Sequence, residues 1–399
     1  MNISQRIGTM TYAIRDVQQV ANQVKAQGHE IITFNIGDPN KFDFDVPEIM
    51  QKALAKYANE GYYSDSTGEL SVRTKIAEYE KAKYGNSVTP NDVIFTQGVS
   101  EGILFLFLAF CNPGDRILVP GPSYPAYVSA GSVSQVETIE YRCIEEEGWQ
   151  PDLDDLRSKM TPNTRAVVII NPNNPTGAVY SRQTLEKLRD IVGEYNAVLV
   201  SDEIYDLQIL DEDFKFTSVS QLSNDVPAII FNGFSKNYFA PGWRSAYMYA
   251  IDPQGKIAEP YEGIRKLCRM RLSPNTAISL ASVAALDPNP PHLKPLVKKI
   301  RDRRDLVVKK FNEMDAITTT VPKAAFYIFP KIDMSQTRFS TDQELVIELL
   351  KSKHVLFVHG SGFGKQYGAN HFRMVYLSQP EILETGLDRF AEFLKENKK

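Results

Sequence analysis

The chain has 399 residues, a net charge of −4 and 43% hydrophobic residues. That length suits two domains of roughly 100–200 residues each, and the mild acidity excludes a general nucleic-acid binder, which carries a basic footprint. The longest apolar run, Ile103 to Cys111, falls far short of the ~20 residues of a membrane span and reads as a buried helix. Cys111, Cys143 and Cys268 form no CxxC pair and no disulfide framework, and Met1 to Met10 lacks the apolar core of a signal peptide. Both features lead us to expect a cytoplasmic protein.

Residues 1–44 precede the first helix of the larger domain and are expected to join a smaller one. The middle of the chain alternates short apolar runs with amphipathic stretches. Strands are predicted at Val93–Thr96, Arg116–Val119, Gln135–Ile139, Ala166–Ile170, Ala197–Ser201, Ala228–Phe231 and Ala246–Ala250. Helices are predicted at Glu101–Phe110 and Ser181–Glu194, the second with Ser181 as N-cap. Such alternation implies an α/β fold, a mostly parallel sheet covered by helices. The breaker cluster Asp287–His292 marks a boundary. Beyond it come a basic helix from Leu293 to Met314, strands at Phe326–Phe329, Val355–Val358 and Phe372–Tyr376, and a closing helix near Glu381–Glu396. The expected organisation is a large domain over 45–286 and a small α+β domain made of 1–44 together with 287–399.

Ligands of parallel sheets gather at the carboxyl ends of the strands, so polar residues just past each strand carry the most weight. Asn171-Pro172-Asn173-Asn174-Pro175-Thr176-Gly177 follows one strand; a turn accounts for part of it, but seven turn-forming residues exceed what one turn needs. Ser201-Asp202-Glu203-Ile204-Tyr205-Asp206 follows another. It reads either as a helix start capped by Asp202 or as a site, and with no histidine nearby it is a poor metal site. Phe231 to Arg244 places Lys236 beside Gly233 and Ser235, eight residues before Arg244. A strand-end lysine of this kind suits an amine that attacks a carbonyl, and the arginine suits a phosphate anchor. Together they meet the needs of a pyridoxal 5'-phosphate enzyme.

In order and spacing, these three segments resemble the class I/II aminotransferases of pyridoxal-phosphate fold type I, over nearly the whole chain. Asn35–Pro39, Pro120–Pro125, Ser235–Ala240 and Val358–Gly364 look most like the archaeal alanine aminotransferase branch. The resemblance implies a role for each matching residue. Lys236 would carry the cofactor and move the substrate's proton, which an amine does only when unprotonated. Asp202 would face the pyridine nitrogen, Asn174 and Tyr205 the phenolic oxygen, and Tyr124 would stack on the ring, although core packing is a rival reading for it. The phosphate would sit where Gly98, Val99 and Ser100 open a helix, held by Ser100, Ser235 and Arg244. Tyr63 would reach it from a neighbouring subunit, which implies a homodimer with shared active sites. Arg373 would fork the substrate's α-carboxylate, and Gly37 would let the backbone approach the bound amino acid.

The implied reaction is ping-pong transfer of an amino group between an L-amino acid and a 2-oxo acid. Alanine, with 2-oxoglutarate and glutamate as the partner pair, is the expected substrate. Aspartate or aromatic donors, another pyridoxal-phosphate reaction such as elimination, and a non-catalytic sensor are the alternatives. Arg15 is a candidate clamp for a distal carboxylate. Phe239, Ser245 and Ala324 depart from the family pattern. Gly360-Ser361-Gly362-Phe363-Gly364 imitates a dinucleotide loop but lacks a βαβ context, so a glycine-rich active-site loop is expected there.

Overall fold

A computed structural model describes residues 2–8, 10 and 13–399. Its centre is an eight-stranded sheet: β1 (Val93–Thr96), β2 (Arg116–Gly121), β3 (Glu137–Ile144), β4 (Gln150–Pro151), β5 (Thr164–Ile170), β6 (Val198–Asp202), β7 (Ala228–Gly233) and β8 (Ala246–Ile251). The spatial order is β1-β8-β7-β6-β5-β2-β3-β4. Neighbours from β3 through β7 pair in parallel, while β8 runs antiparallel to both β7 and β1, and β4 antiparallel to β3.

Both faces of this sheet are buried, because β-branched runs alternate between two apolar layers. Val167, Ile169 and Leu199 pack into one core, with Leu185, Leu188, Ile191 and Val192 of the helix Arg182–Glu194. Val168, Ile170, Val198 and Val200 pack into the other, with Ile103, Phe105, Leu106 and Phe107 of the helix Val99–Phe110. Ser181 caps its helix as expected, its hydroxyl accepting from the Thr184 amide at 3.0 Å.

A separate core joins Phe34 and Phe44 near the start of the chain to residues between Ile300 and Leu394. Ile32–Thr33 pairs in parallel with Val355–Leu356, and Val358–His359 pairs with Phe372–Val375, which also pairs with Tyr327–Ile328. The strand expected over Val355–Val358 is thus two short ones, since it changes partners midway. The strand expected at Gln135–Ile139 begins at Glu137 and runs on to Ile144; Gln135 instead ends the preceding helix in the left-handed region at φ 58°. The segment before residue 45 also contains a helix, Ala13–Ala26, that the sequence reading leaves out. Among the described residues no helix is long and apolar enough to cross a membrane.

The helix Leu70–Tyr84 buries Glu80 against β8, where the hydroxyls of Tyr247 and Tyr249 donate to it at 2.6 and 2.8 Å. Burial pushes its carboxyl up to about 7, from an ordinary 4.5, against the pull of Lys83 and the two hydroxyls. The folded state therefore holds the proton more tightly than the unfolded chain. That stabilisation is complete below pH 4.5 and is lost as the pH rises to about 7. Between pH 5 and 8 the parent is expected to lose about 3 kcal/mol relative to Glu80→Gln. Denaturant titrations of both proteins at the two pH values check this, and parallel curves would refute it.

Candidate active site

The carboxyl ends of β2, β5, β6 and β7 open into a cavity of about 550 Å3. Its lining brings together Gly37, Val99, Ser100, Tyr124, Asn174, Asp202, Tyr205, Ser235, Lys236, Arg244 and Arg373, as well as Ile14, Ile36 and Tyr327. Tyr63 stands apart, 81% exposed and outside the cavity of its own chain. Arg15 lies on the helix Ala13–Ala26, and its side chain falls outside the described residues.

Each side chain is set by its local backbone. Lys236 lies three residues past the end of β7; its amine donates to the Gly37 carbonyl at 2.8 Å and lies 5.4 Å from the centre of the Phe326 ring. Gly37 has no room for a side chain, since a Cβ there would lie 2.5 Å from the Tyr327 hydroxyl. Asp202 is the last residue of β6, and no helix follows it, so the helix-cap reading is replaced by a strand end. It accepts from the Tyr127 hydroxyl at 3.2 Å and the Ile204 amide at 3.4 Å. Burial lifts its carboxyl to about 6, while the Ile204 amide, Tyr127 and the Lys236 cation oppose the rise. A carboxylate so placed gains from any cation brought beside it.

The asparagine-rich segment divides its work. Asn171 accepts from the Tyr180 amide at 2.9 Å, and Asn173 accepts from the amide and hydroxyl of Thr176, so these two build the turn. Asn174 reaches the cavity, where its side-chain oxygen accepts from Arg373 at 3.0 Å. A guanidinium only donates, so the oxygen must face it and the amide NH2 remains as a donor. Arg373 also donates to the Asn35 carbonyl at 2.6 Å, between the rings of Tyr327 at 4.6 Å and Phe363 at 4.8 Å. Phe363 belongs to the short 3-10 turn Gly360–Phe363, so the glycine-rich loop backs this arginine. The Tyr205 and Tyr327 hydroxyls lie 2.7 Å apart.

At the other end of the cavity Gly98 precedes the helix Val99–Phe110 at φ 77°. A Cβ there would overlap the Arg244 guanidinium, which lies across the glycine and donates to the carbonyls of Pro241 and Gln97. Cation, first-turn amides and the hydroxyls of Ser100 and Ser235 all line this end, a cradle for a dianion.

The sequence model of the family described as aminotransferase class I and II matches residues 29–390. The chain belongs to that family. It is 35% identical to the glutamate-pyruvate aminotransferase AlaA of Escherichia coli strain K12 over 395 residues, 98% of this chain and 97% of the relative. It is likewise 35% identical to an alanine aminotransferase of Mycobacterium tuberculosis, covering 98% and 92%. Among solved structures, an alanine aminotransferase from Pyrococcus furiosus superposes with a TM-score of 0.96 at 48% identity, covering 99% of this chain and 100% of that one. The protein is an aminotransferase of pyridoxal-phosphate fold type I, and pyridoxal 5'-phosphate is its cofactor. The cavity fits that group. The Gly98 cradle would offer a phosphate its amides and Arg244, the buried Asp202 would gain from a protonated ring nitrogen beside it, and Lys236 opens onto the same space.

Sequence reasoning misses Tyr127, the hydroxyl on Asp202. It follows Tyr124 by three positions at the start of the helix Pro125–Ser134, a spacing that puts both on one side. It also misses Ile14, Ile36 and Tyr327 as cavity walls, although Ile36 lies inside the segment Asn35–Pro39.

Gly98→Ala is expected both to push aside the Arg244 guanidinium, which a Cβ would overlap, and to strain the backbone, because φ 77° there suits glycine. Affinity for pyridoxal 5'-phosphate should fall about tenfold or more, which equals about 1.4 kcal/mol. Equilibrium dialysis measures it, and an unchanged affinity would remove Arg244 from the phosphate site.

Proposed function

We propose that this aminotransferase exchanges amino groups between L-alanine and pyruvate on one side and glutamate and 2-oxoglutarate on the other. The observation that carries this reading is the convergence in one cavity of the Lys236 amine, the Asp202 carboxylate and the Arg373–Asn174 pair. The likeness to the glutamate-pyruvate aminotransferase of Escherichia coli and the alanine aminotransferase of Pyrococcus furiosus supports the choice of alanine. At the substrate end Ile14, Ile36 and Tyr327 form apolar walls that suit a methyl side chain.

When bound, the cofactor supplies a conjugated ring that accepts the charge left on the substrate's α-carbon. Asp202 would hold a proton at the ring nitrogen, with Tyr127 keeping the carboxylate in place. The NH2 of Asn174 and the hydroxyl of Tyr205 would donate to the ring's oxygen. Val99, Ser100, Ser235 and Arg244 would hold the phosphate. Arg373 orients the amino acid by its α-carboxylate, and its two flanking rings hold the fork flat. Lys236 Nζ would hold the cofactor through its amine and would be the group that takes the substrate's α-proton and hands it on. Turnover proceeds as two half-reactions, with the keto acid leaving before the second substrate binds.

The smaller domain of 1–44 with 287–399 would close over this site against a larger domain of 45–286. A second copy of the chain would complete it. Tyr63 stands out from its own cavity, on a segment held by Thr276 donating to the Tyr62 carbonyl at 2.7 Å and Arg271 donating to the Ser66 carbonyl at 2.6 Å. Beside it Leu70, Met270 and Leu272 are exposed apolar side chains that such a partner would cover.

The purified protein should form pyruvate from alanine only when a 2-oxo acid is supplied; ammonia release without transamination would overturn the reading. In a panel of donors alanine should lead aspartate and tyrosine by about tenfold or more in kcat/KM, the scale one pocket contact supports. Lys236→Ala should abolish turnover. Arg373→Lys, which keeps the charge and loses the fork, should lower kcat/KM for alanine about 10- to 100-fold. Steady-state kinetics with alanine and a carboxylate-free amine separate loss of the fork from general damage, since the amine should react equally well with both proteins.

A further inference from the structure

Behind Lys236 lies a buried polar network with no part in the chemistry described above. Asp206, one position past Tyr205, is its hub, with a side chain 1% exposed. One carboxylate oxygen accepts from Lys83 at 2.6 Å, the Tyr84 hydroxyl at 2.5 Å and Asn232 at 2.9 Å. The other accepts from the Asn237 side-chain amide at 2.6 Å. Asn237 is the residue after Lys236. The Lys236 carbonyl accepts from Gln208 at 2.7 Å, and His292 lies 3.1 Å from the Asn237 carbonyl. The peptide that follows Lys236 is therefore gripped through its side chain and both flanking carbonyls, largely from the loop after β6.

Three carboxylates, Glu80, Glu203 and Asp206, share this interior with one lysine, Lys83, which touches Asp206. Burial pushes Glu80 to about 7 and Glu203 to about 8, each with its own hydroxyl or amide donors. Packing alone does not call for an acid here. A carboxylate at 206 accepts several donors at once because its two oxygens offer about four lone-pair sites and no hydrogen. An amide in its place would turn a donor toward one of these donors.

We propose that Asp206 is a positioning residue for Lys236, holding the turn through Asn237 so that the amine stays at the Gly37 carbonyl and faces the cofactor. The proposal rests on Lys236 being the reacting amine. Asn237→Ala removes only the link to the turn and leaves Lys83 and Asp206 paired, whereas Asp206→Asn disturbs the hub. Leu188→Ala, on the helix Arg182–Glu194, serves as a control that costs stability without touching the turn.

The full chain of each variant, stripped and resupplied with pyridoxal 5'-phosphate, is quenched with borohydride at intervals. Peptide mass spectrometry then follows the adduct on Lys236. Asn237→Ala and Asp206→Asn should form it about tenfold more slowly than the parent. As holoenzymes they should lose about 10- to 100-fold in kcat with KM for alanine within about threefold, the scale of a misplaced reacting group. Leu188→Ala should lower Tm and keep the parent rate. The proposal is overturned if Asn237→Ala forms the adduct within about twofold of the parent rate, or if Leu188→Ala slows it as much. Should Asp206→Asn fail to fold, Asn237→Ala decides alone. A parent that forms no adduct on Lys236 refutes instead the assignment of Lys236 itself.

Discussion

One hydrogen bond ties the turn after β7 to the N-terminal segment: Lys236 donating to the carbonyl of Gly37, 199 positions earlier in the sequence. One end hangs on the turn beyond β7, deep in the large sheet. The other lies in the segment whose strand Ile32–Thr33 pairs with Val355–Leu356. The bond is possible only because residue 37 has no side chain, since Tyr327 and Phe326 already fill the space a Cβ would take. The same contact that fixes the Lys236 amine in the cavity also requires the N-terminal segment to lie against it, so the geometry of the site and chain organisation share one constraint.

The electrostatics follow from where each charge is buried rather than from how many there are. Asp202 ends β6 and Glu203 and Asp206 follow just beyond it, yet each has a different partner. Asp202 meets Tyr127 at the cavity, Glu203 takes Ser201 and the Val219 amide, and Asp206 takes Lys83 and the turn after Lys236. In a medium that penalises unpaired charge, each acid is kept by the donors around it. Desolvation lifts Asp202 to about 6 but Glu203 to about 8, so the acid at the cavity is the one nearer to ionisation at neutral pH.

Much of the fold was legible in the sequence because its parallel strands are fully buried. Continuous apolar runs such as Ala166–Ile170 and Ala228–Phe231 have only one comfortable place, between two layers of helices. Legibility fails where a strand sits at an edge or changes partners. Glu137, Glu140 and Arg142 hide the true extent of β3, and the switch between Leu356 and Val358 splits an apparently single strand. Family spacing, read residue by residue, located Lys236, Asp202, Asn174, Arg244 and Arg373, and the cavity gathers all of them. The walls of the substrate end were not legible. Ile36 lies within Asn35–Pro39 and Ile14 just before Arg15, yet that both wall the cavity follows from tertiary pairing that local pattern does not encode.

The three departures from the family pattern are absorbed by packing. Phe239 takes the left-handed region at φ 47°, a strained place for an aromatic residue, and is fully buried against Phe44 at 5.3 Å. Phe44 in turn lies under Lys299 and Arg303, and Arg303 pairs with Asp43. The aromatic stack thus ties the turn carrying Lys236 to the helix Leu293–Asn312. Ser245 donates to Ser282 at 2.7 Å, so its hydroxyl is satisfied inside the core. Ala324 sits where its amide donates to the Gly177 carbonyl at 3.0 Å, bracing the turn that presents Asn174. Phe239 and Ala324 act on the supports of the site, and none of the three lines the cavity. Departures of this kind alter how firmly Lys236 and Asn174 are held while leaving the reacting groups in place.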